Sequence, residues 1–91
     1  MHINSAKLTF RIPQATSLKD KRQVARGLID KTKHKFNVSI AEVQNQNAHQ
    51  LLVIGISLVS GEVAHGQKCL DEVIRFMEQT AMAELTEVEL W

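Results

Sequence analysis

The chain has 91 residues, 44% of them hydrophobic, one cysteine and a formal net charge of +1. That length makes one domain, 1–91, with enough apolar residues for a core and little stability to spare. No apolar run reaches the length of a membrane span, and a single thiol, Cys69, excludes an internal disulfide and a cysteine-based zinc site.

The near-neutral total hides a split. Residues 1–35 hold nine Lys and Arg against Asp20 and Asp30 alone, whereas residues 36–91 hold Lys68 and Arg75 against eight acids. Such a division marks a basic face for an anionic partner, unless the two halves neutralise each other on folding.

Residues 2–12 alternate, with Ala6, Leu8, Phe10 and Ile12 on one face and Lys7, Thr9 and Arg11 on the other. This predicts a half-buried strand, stopped by Pro13, which has no N–H to give a ladder. Ser17-Leu18-Lys19-Asp20-Lys21-Arg22 then opens a helix over 17–35. Ser17 is the expected N-cap, with Asp20 returning a hydrogen bond to the cap's own N–H. On a helical wheel with Leu18 at zero, Leu18, Val24, Ala25, Leu28, Ile29 and Thr32 fill an arc from about 240° to about 20°, a core-facing stripe.

Arg22, Lys33, Arg26 and Lys19 fall at about 40°, 60°, 80° and 100° on the same wheel. They form one basic stripe beside the core face. Lys21 falls near about 300°, on the apolar side, and is expected to snorkel outward over the helix end. The helix N-terminus adds free N–H groups and the positive end of the dipole. Lys19, Lys21, Arg22, Arg26 and Lys33 are therefore the predicted anion-binding residues, with phosphate as the anion.

Phe36 to Val43 is rich in β-branched residues and reads as a second strand, and Asn45-Gln46-Asn47 as a turn. Gln50 to Ser60 is apolar almost throughout, which fits a central strand. Ser60-Gly61-Glu62 opens a second helix. Its stripe comprises Val63, Cys69, Leu70, Val73, Ile74, Phe76 and Met77, with Gly66 inside it. Leu85 to Trp91 alternates and closes the chain as a strand. The order β-α-β-β-α-β predicts an α+β, ferredoxin-like fold: a four-stranded antiparallel sheet in order 4-1-3-2, both helices on one face. The predicted core unites Ala6, Leu8, Phe10, Leu28, Ile29, Ile56, Val73 and Phe76.

Three segments together carry a family resemblance: Ser17-Leu18-Lys19-Asp20-Lys21-Arg22; Phe36-Asn37-Val38-Ser39-Ile40-Ala41-Glu42-Val43; and Gly55-Ile56-Ser57-Leu58-Val59-Ser60 with His65 shortly after. On these the chain resembles the YlxP-like family of small bacterial proteins, a domain of unknown function. The resemblance implies a ferredoxin-like fold. Through the translation genes beside which the family's genes often sit, it also implies a link to RNA or the ribosome. The chain departs from the family near the start of the third strand. Members often carry a tryptophan there, and this chain has Ala48-His49-Gln50.

The remaining features narrow the function. RNA-recognition domains stack bases on aromatics of their central strands; this chain has no Tyr, and its three Phe and Trp91 do not supply that pair. Lys7 and Arg11 are expected to pair with Glu87 and Glu89 across the first and last strands. Trp91 is expected to fold over the end of its own core, with a role at an interface as the alternative. His2, His34, His49 and His65 lack metal-ligand spacing. His65 is expected to serve as a polar partner for a nearby strand end, Glu42 as a partner for a first-helix cation, and Cys69 as an inert core thiol.

An acylphosphatase-like enzyme would use Arg11 with Asn37 or Asn45, but Pro13-Gln14-Ala15-Thr16 has no glycine to shape an amide cradle. The expectation is therefore a cytoplasmic, non-enzymatic domain, with no cofactor, metal or membrane. It would bind RNA or a ribosomal particle through its first helix. The alternative is a homo-oligomeric interaction module, a dimer through an edge strand or the open sheet face.

Overall fold

The computed structural model describes Met1–Trp91. Six elements follow one another: β1 (His2–Arg11), α1 (Leu18–Lys35), β2 (Ser39–Gln44), β3 (Leu51–Ser60), α2 (Val63–Thr80) and β4 (Glu84–Leu90). The strands form one antiparallel sheet in the order β2-β3-β1-β4, the expected order read from the other edge.

Alternation along β1 places Ala6, Leu8 and Phe10 under the helices, and Leu52, Ile54, Ile56 and Leu58 of β3 do the same. Leu28 of α1 and Leu70, Val73 and Met77 of α2 close the core from above. Ile29 and Phe76 are half-buried and pack against its rim. The Phe36 and Phe76 rings meet edge to face at 5.4 Å between centroids, which joins the end of α1 to α2.

The second strand starts later than the β-branched run suggests. Phe36 is the C-cap of α1, with its N–H bonded to the Thr32 carbonyl, so Phe36–Val38 is a connection and β2 begins at Ser39. Val63, expected in the apolar stripe of α2, is exposed because it lies in the first turn of that helix.

Gly66 packs closely on two side chains. A Cβ there would lie 2.5 Å from the Ser60 hydroxyl and would overlap the Asn4 side-chain oxygen. Alanine normally improves a helix interior by about 1 kcal/mol over glycine. Here Gly66→Ala is expected to forfeit that gain and cost up to about 1 kcal/mol, because the Asn4 amide and the Ser60 hydroxyl must turn aside and the Ser60 bond to the Glu62 carbonyl is lost. Urea denaturation checks this, and Asn4→Ala should recover part of the loss.

Candidate nucleic-acid interface

Ser17 caps α1 as expected: its hydroxyl accepts from the Asp20 N–H at 3.1 Å. The return bond differs. The Asp20 carboxylate accepts from the N–H and the hydroxyl of Thr16, each at 2.9 Å, one residue before the cap. These bonds, the Thr16 backbone N–H first, hold the Asp20 carboxyl below its ordinary value of 3.8. A lowered carboxyl stabilises the fold above its unfolded value and loses that contribution as pH falls through the folded one. Helix content in the first turn should therefore decline as pH drops below 3.8, and Asp20→Asn should abolish that acid-dependent step in amide chemical shifts of residues 16–22.

With Asp20 seated there, the first turn already carries its own anion. The first turn therefore differs from the expected capping box in where the Asp20 carboxylate is bonded.

Lys21 is a second correction. It does not snorkel outward; it is 1% exposed, the only fully buried cation of the chain. Its Nζ donates to the carbonyls of Asn45 (2.6 Å) and Ala48 (2.8 Å), and lies 2.7 Å from the Glu42 carboxylate. Two of the three ammonium hydrogens go to these carbonyls, and the Glu42 contact is an ion pair alone, its buried Oε2 having no hydrogen-bond partner. Asn45 holds a left-handed φ of 56°, which asparagine tolerates, and its carbonyl also accepts from the Ala48 N–H at 3.0 Å. Lys21 therefore pins the β2–β3 turn to α1 and is unavailable to a ligand. Glu42 takes the role expected of it, partner to a first-helix cation. The Ala48-His49-Gln50 stretch belongs to the same latch, since the Gln50 amide donates to the Pro13 (3.3 Å) and Ala15 (3.2 Å) carbonyls.

The other four cations stand together. Lys19, Arg22, Arg26 and Lys33 are all exposed, and neither of the two ion pairs, Lys7–Glu89 and Lys21–Glu42, involves them. On the opposite flank of α1, Lys35 lies 4.8 Å above the Phe76 ring of α2. The basic flank consequently faces away from α2, on the side of edge strand β2. At 1.5 Å per residue it runs for about 21 Å.

The acids Glu84, Glu87 and Glu89 lie on β4, the other edge of the sheet. The α1 stripe is thus remote from these three acids, whereas Lys7 and Arg11 lie beside them on β1: both ion pairs join the basic and acidic halves, yet they engage only two of the nine cations.

The remaining expectations divide. Lys7 pairs with Glu89 at 3.5 Å. A register shift after Thr9 sets Arg11 against Glu84 and Thr9 against Glu87, and no second ion pair forms. Trp91 does not cover the core: it is 77% exposed, and its indole N–H donates to Glu89 at 2.7 Å. Cys69 is half-buried and packs against the core with the apolar stripe, as expected, whereas His65 is exposed and its imidazole lies 3.5 Å from the Cys69 sulfur instead of partnering a strand end. Asn37 precedes β2 at the opposite end of the sheet from Arg11, so those two do not converge. No group of three His, Cys, Asp or Glu is placed to hold a metal ion, and no helix is long and apolar enough to cross a membrane.

Comparison with known proteins agrees with the architecture. The solution NMR structure of a de novo designed protein with ferredoxin fold superposes with a TM-score of 0.63 over 99% of this chain and 85% of that one. The two share 10% identity, so the likeness concerns the fold alone. The protein named "Uncharacterized protein YlxP" from Bacillus subtilis (strain 168) is 36% identical over 75 residues, 82% of either chain. The family model described as "Protein of unknown function (DUF503)" matches residues 3–90. With the order, sheet and helices above, these matches establish that the chain belongs to the DUF503 family, the family of YlxP-like proteins.

Proposed function

We propose that this protein is a non-enzymatic, cytoplasmic RNA-binding domain that docks on single-stranded RNA of a ribosomal particle through the outer flank of α1. The observation that carries the reading is the row Lys19, Arg22, Arg26 and Lys33: exposed, unpaired and directed away from every acid of β4. Cations aligned on one flank neutralise successive phosphates and release their counterions.

Lys21 has no part in the contact; it holds the turn beside it. The sheet offers no pair of aromatics for stacking, because Phe10 is fully buried, Phe36 and Phe76 pack on each other, and Trp91 stands alone at the end of β4. Recognition is therefore of the backbone, not of base sequence. The reading is of a binder because the single thiol–imidazole contact, Cys69 with His65, has no third group bonded to the imidazole to orient it, as nucleophilic catalysis requires.

Fluorescence anisotropy with a labelled single-stranded RNA at low salt tests this. Saturable binding that is indifferent to base sequence is expected. Absence of binding at 50 mM salt would remove the proposal, since phosphate contacts strengthen as salt falls.

A further inference from the structure

Four of the large apolar side chains left exposed lie on the face of the sheet away from the helices or at its end: Ile3, Val43, Val59 and Trp91. The same face holds a hollow of about 380 Å³. Its floor is made of small residues in register across three strands. Ser5 stands opposite Ser57, and Ser57 opposite Ser39; one row on, Gly55 stands between Lys7 and Ala41. Trp91 rises at the end of the serine row, with its backbone N–H on the Ser5 carbonyl. One face thus carries both an aromatic knob and a shallow seat of small side chains.

Charge on this face is also ordered in rows. β1 presents Lys7 and Arg11, and the neighbouring β4 presents Glu84, Glu87 and Glu89. Only Lys7 and Glu89 pair within the chain; Arg11, Glu84 and Glu87 have no ionic partner.

We infer that the open sheet face is an interface between two copies of this chain, related by a twofold axis parallel to the strands and midway between β1 and β4. That operation lays β4 of one protomer over β1 of the other. The acid row of each then meets the cation row of its partner, and each indole meets the partner's serine floor. Sheets stacked face to face lie about 10 Å apart, so a projecting indole needs small residues opposite it, and this floor provides them.

The strand edges are poorer candidates. Antiparallel pairing of β4 with its own copy would bring Glu84, Glu87 and Glu89 against like charges. Pairing of β2 with its own copy would bring together the two basic flanks of α1. A face four strands wide and up to ten residues long projects roughly 600 Å². That is somewhat less than the about 800 Å² per partner of a standard interface, so a dimer of modest affinity, populated at micromolar concentrations, is expected.

The test is sedimentation velocity of the full chain from 5 to 500 µM, with the emission of Trp91 followed in parallel. Trp91 is the only tryptophan. The wild type should pass from 10.3 kDa to twice that mass, with a blue shift of emission over the same range. Arg11→Glu should weaken the dimer by about tenfold or more. Arg11→Glu with Glu84→Arg should restore it to within about threefold, because the two residues stand at the same height along the strands and their charges are exchanged. Circular dichroism verifies that the variants are folded.

A wild type monomeric at every concentration, an Arg11→Glu protein that dimerises unchanged, or a double variant that fails to recover would each overturn the interface. So would mass growing past two copies, the signature of head-to-tail edge pairing. Arg11 is on the sheet and the basic stripe is on α1, so these outcomes are independent of RNA binding.

Discussion

Replacing Lys21 by Met should destabilise the protein by about 3–5 kcal/mol, the cost of removing one partner of a buried ion pair. The carbonyls of Asn45 and Ala48 lose this donor and the Glu42 carboxylate loses its cation at once. A domain of this length holds about 5–14 kcal/mol in all, so the loss is a large share of the total, and Tm should fall by at least about 12 °C. Adding Glu42→Gln should return part of the stability, because the orphaned charge disappears while the two carbonyls still lack the amine. Lys21→Arg should not rescue fully, since a planar guanidinium cannot reproduce the two carbonyl bonds and the ion pair of a compact ammonium. Thermal denaturation of the two single variants and the double one gives all of this. A loss under about 1 kcal/mol for Lys21→Met would mean that the amine is solvated and that the latch between α1 and the β2–β3 turn does not hold.

Periodicity made most of this architecture legible. Ala6, Leu8 and Phe10 at a spacing of two, and Leu28 and Thr32 on one helical arc, fix which face of each element is buried, and four strands with two helices in that order leave few topologies. The misreadings have a common cause in contacts distant along the chain. Phe36 to Val38 has the composition of a strand, but the Phe36 N–H closes α1 and its ring meets Phe76, forty residues on. Lys21 lay visibly on the apolar side of the wheel, and Glu42 was a candidate partner for a first-helix cation. What no local pattern reveals is that the turn at 45–48 folds its carbonyls over that amine. The β4 register shift after Thr9, which takes Glu87 away from Arg11, is similarly invisible in an alternating sequence. The basic stripe was legible because it depends only on helical geometry, whereas its separation from the acids depends on strand order.

Arg22→Gln with Arg26→Gln should weaken RNA binding by at least about tenfold at low salt, and equally for RNAs of different sequence, because phosphate contacts position without specifying. Both residues are exposed and outside any ion pair, so the fold should change by less than about 0.5 kcal/mol. Lys68→Gln with Arg75→Gln is the matched comparison: the same loss of charge on α2, beside Asp71 and Glu72. Those acids already offset the local potential, and affinity should stay within about twofold. Anisotropy titrations of the two double variants against one RNA check both statements. Equal losses in the two would assign binding to net charge alone. Lys21 variants are unsuitable for this purpose, because their effect on folding would be read as an effect on binding.

The most direct test of α1 as the RNA surface is the slope of log K against log[salt] for the wild type and the Arg22→Gln, Arg26→Gln protein, from 50 to 200 mM. Four single-strand phosphate contacts give a slope of about −3 and a loss of about fiftyfold across that range; two give about −1.4 and about sevenfold. Docking through α1 predicts the first value for the wild type and the second for the variant. Identical slopes in the two proteins would contradict it and remove the outer flank of α1 as the binding surface.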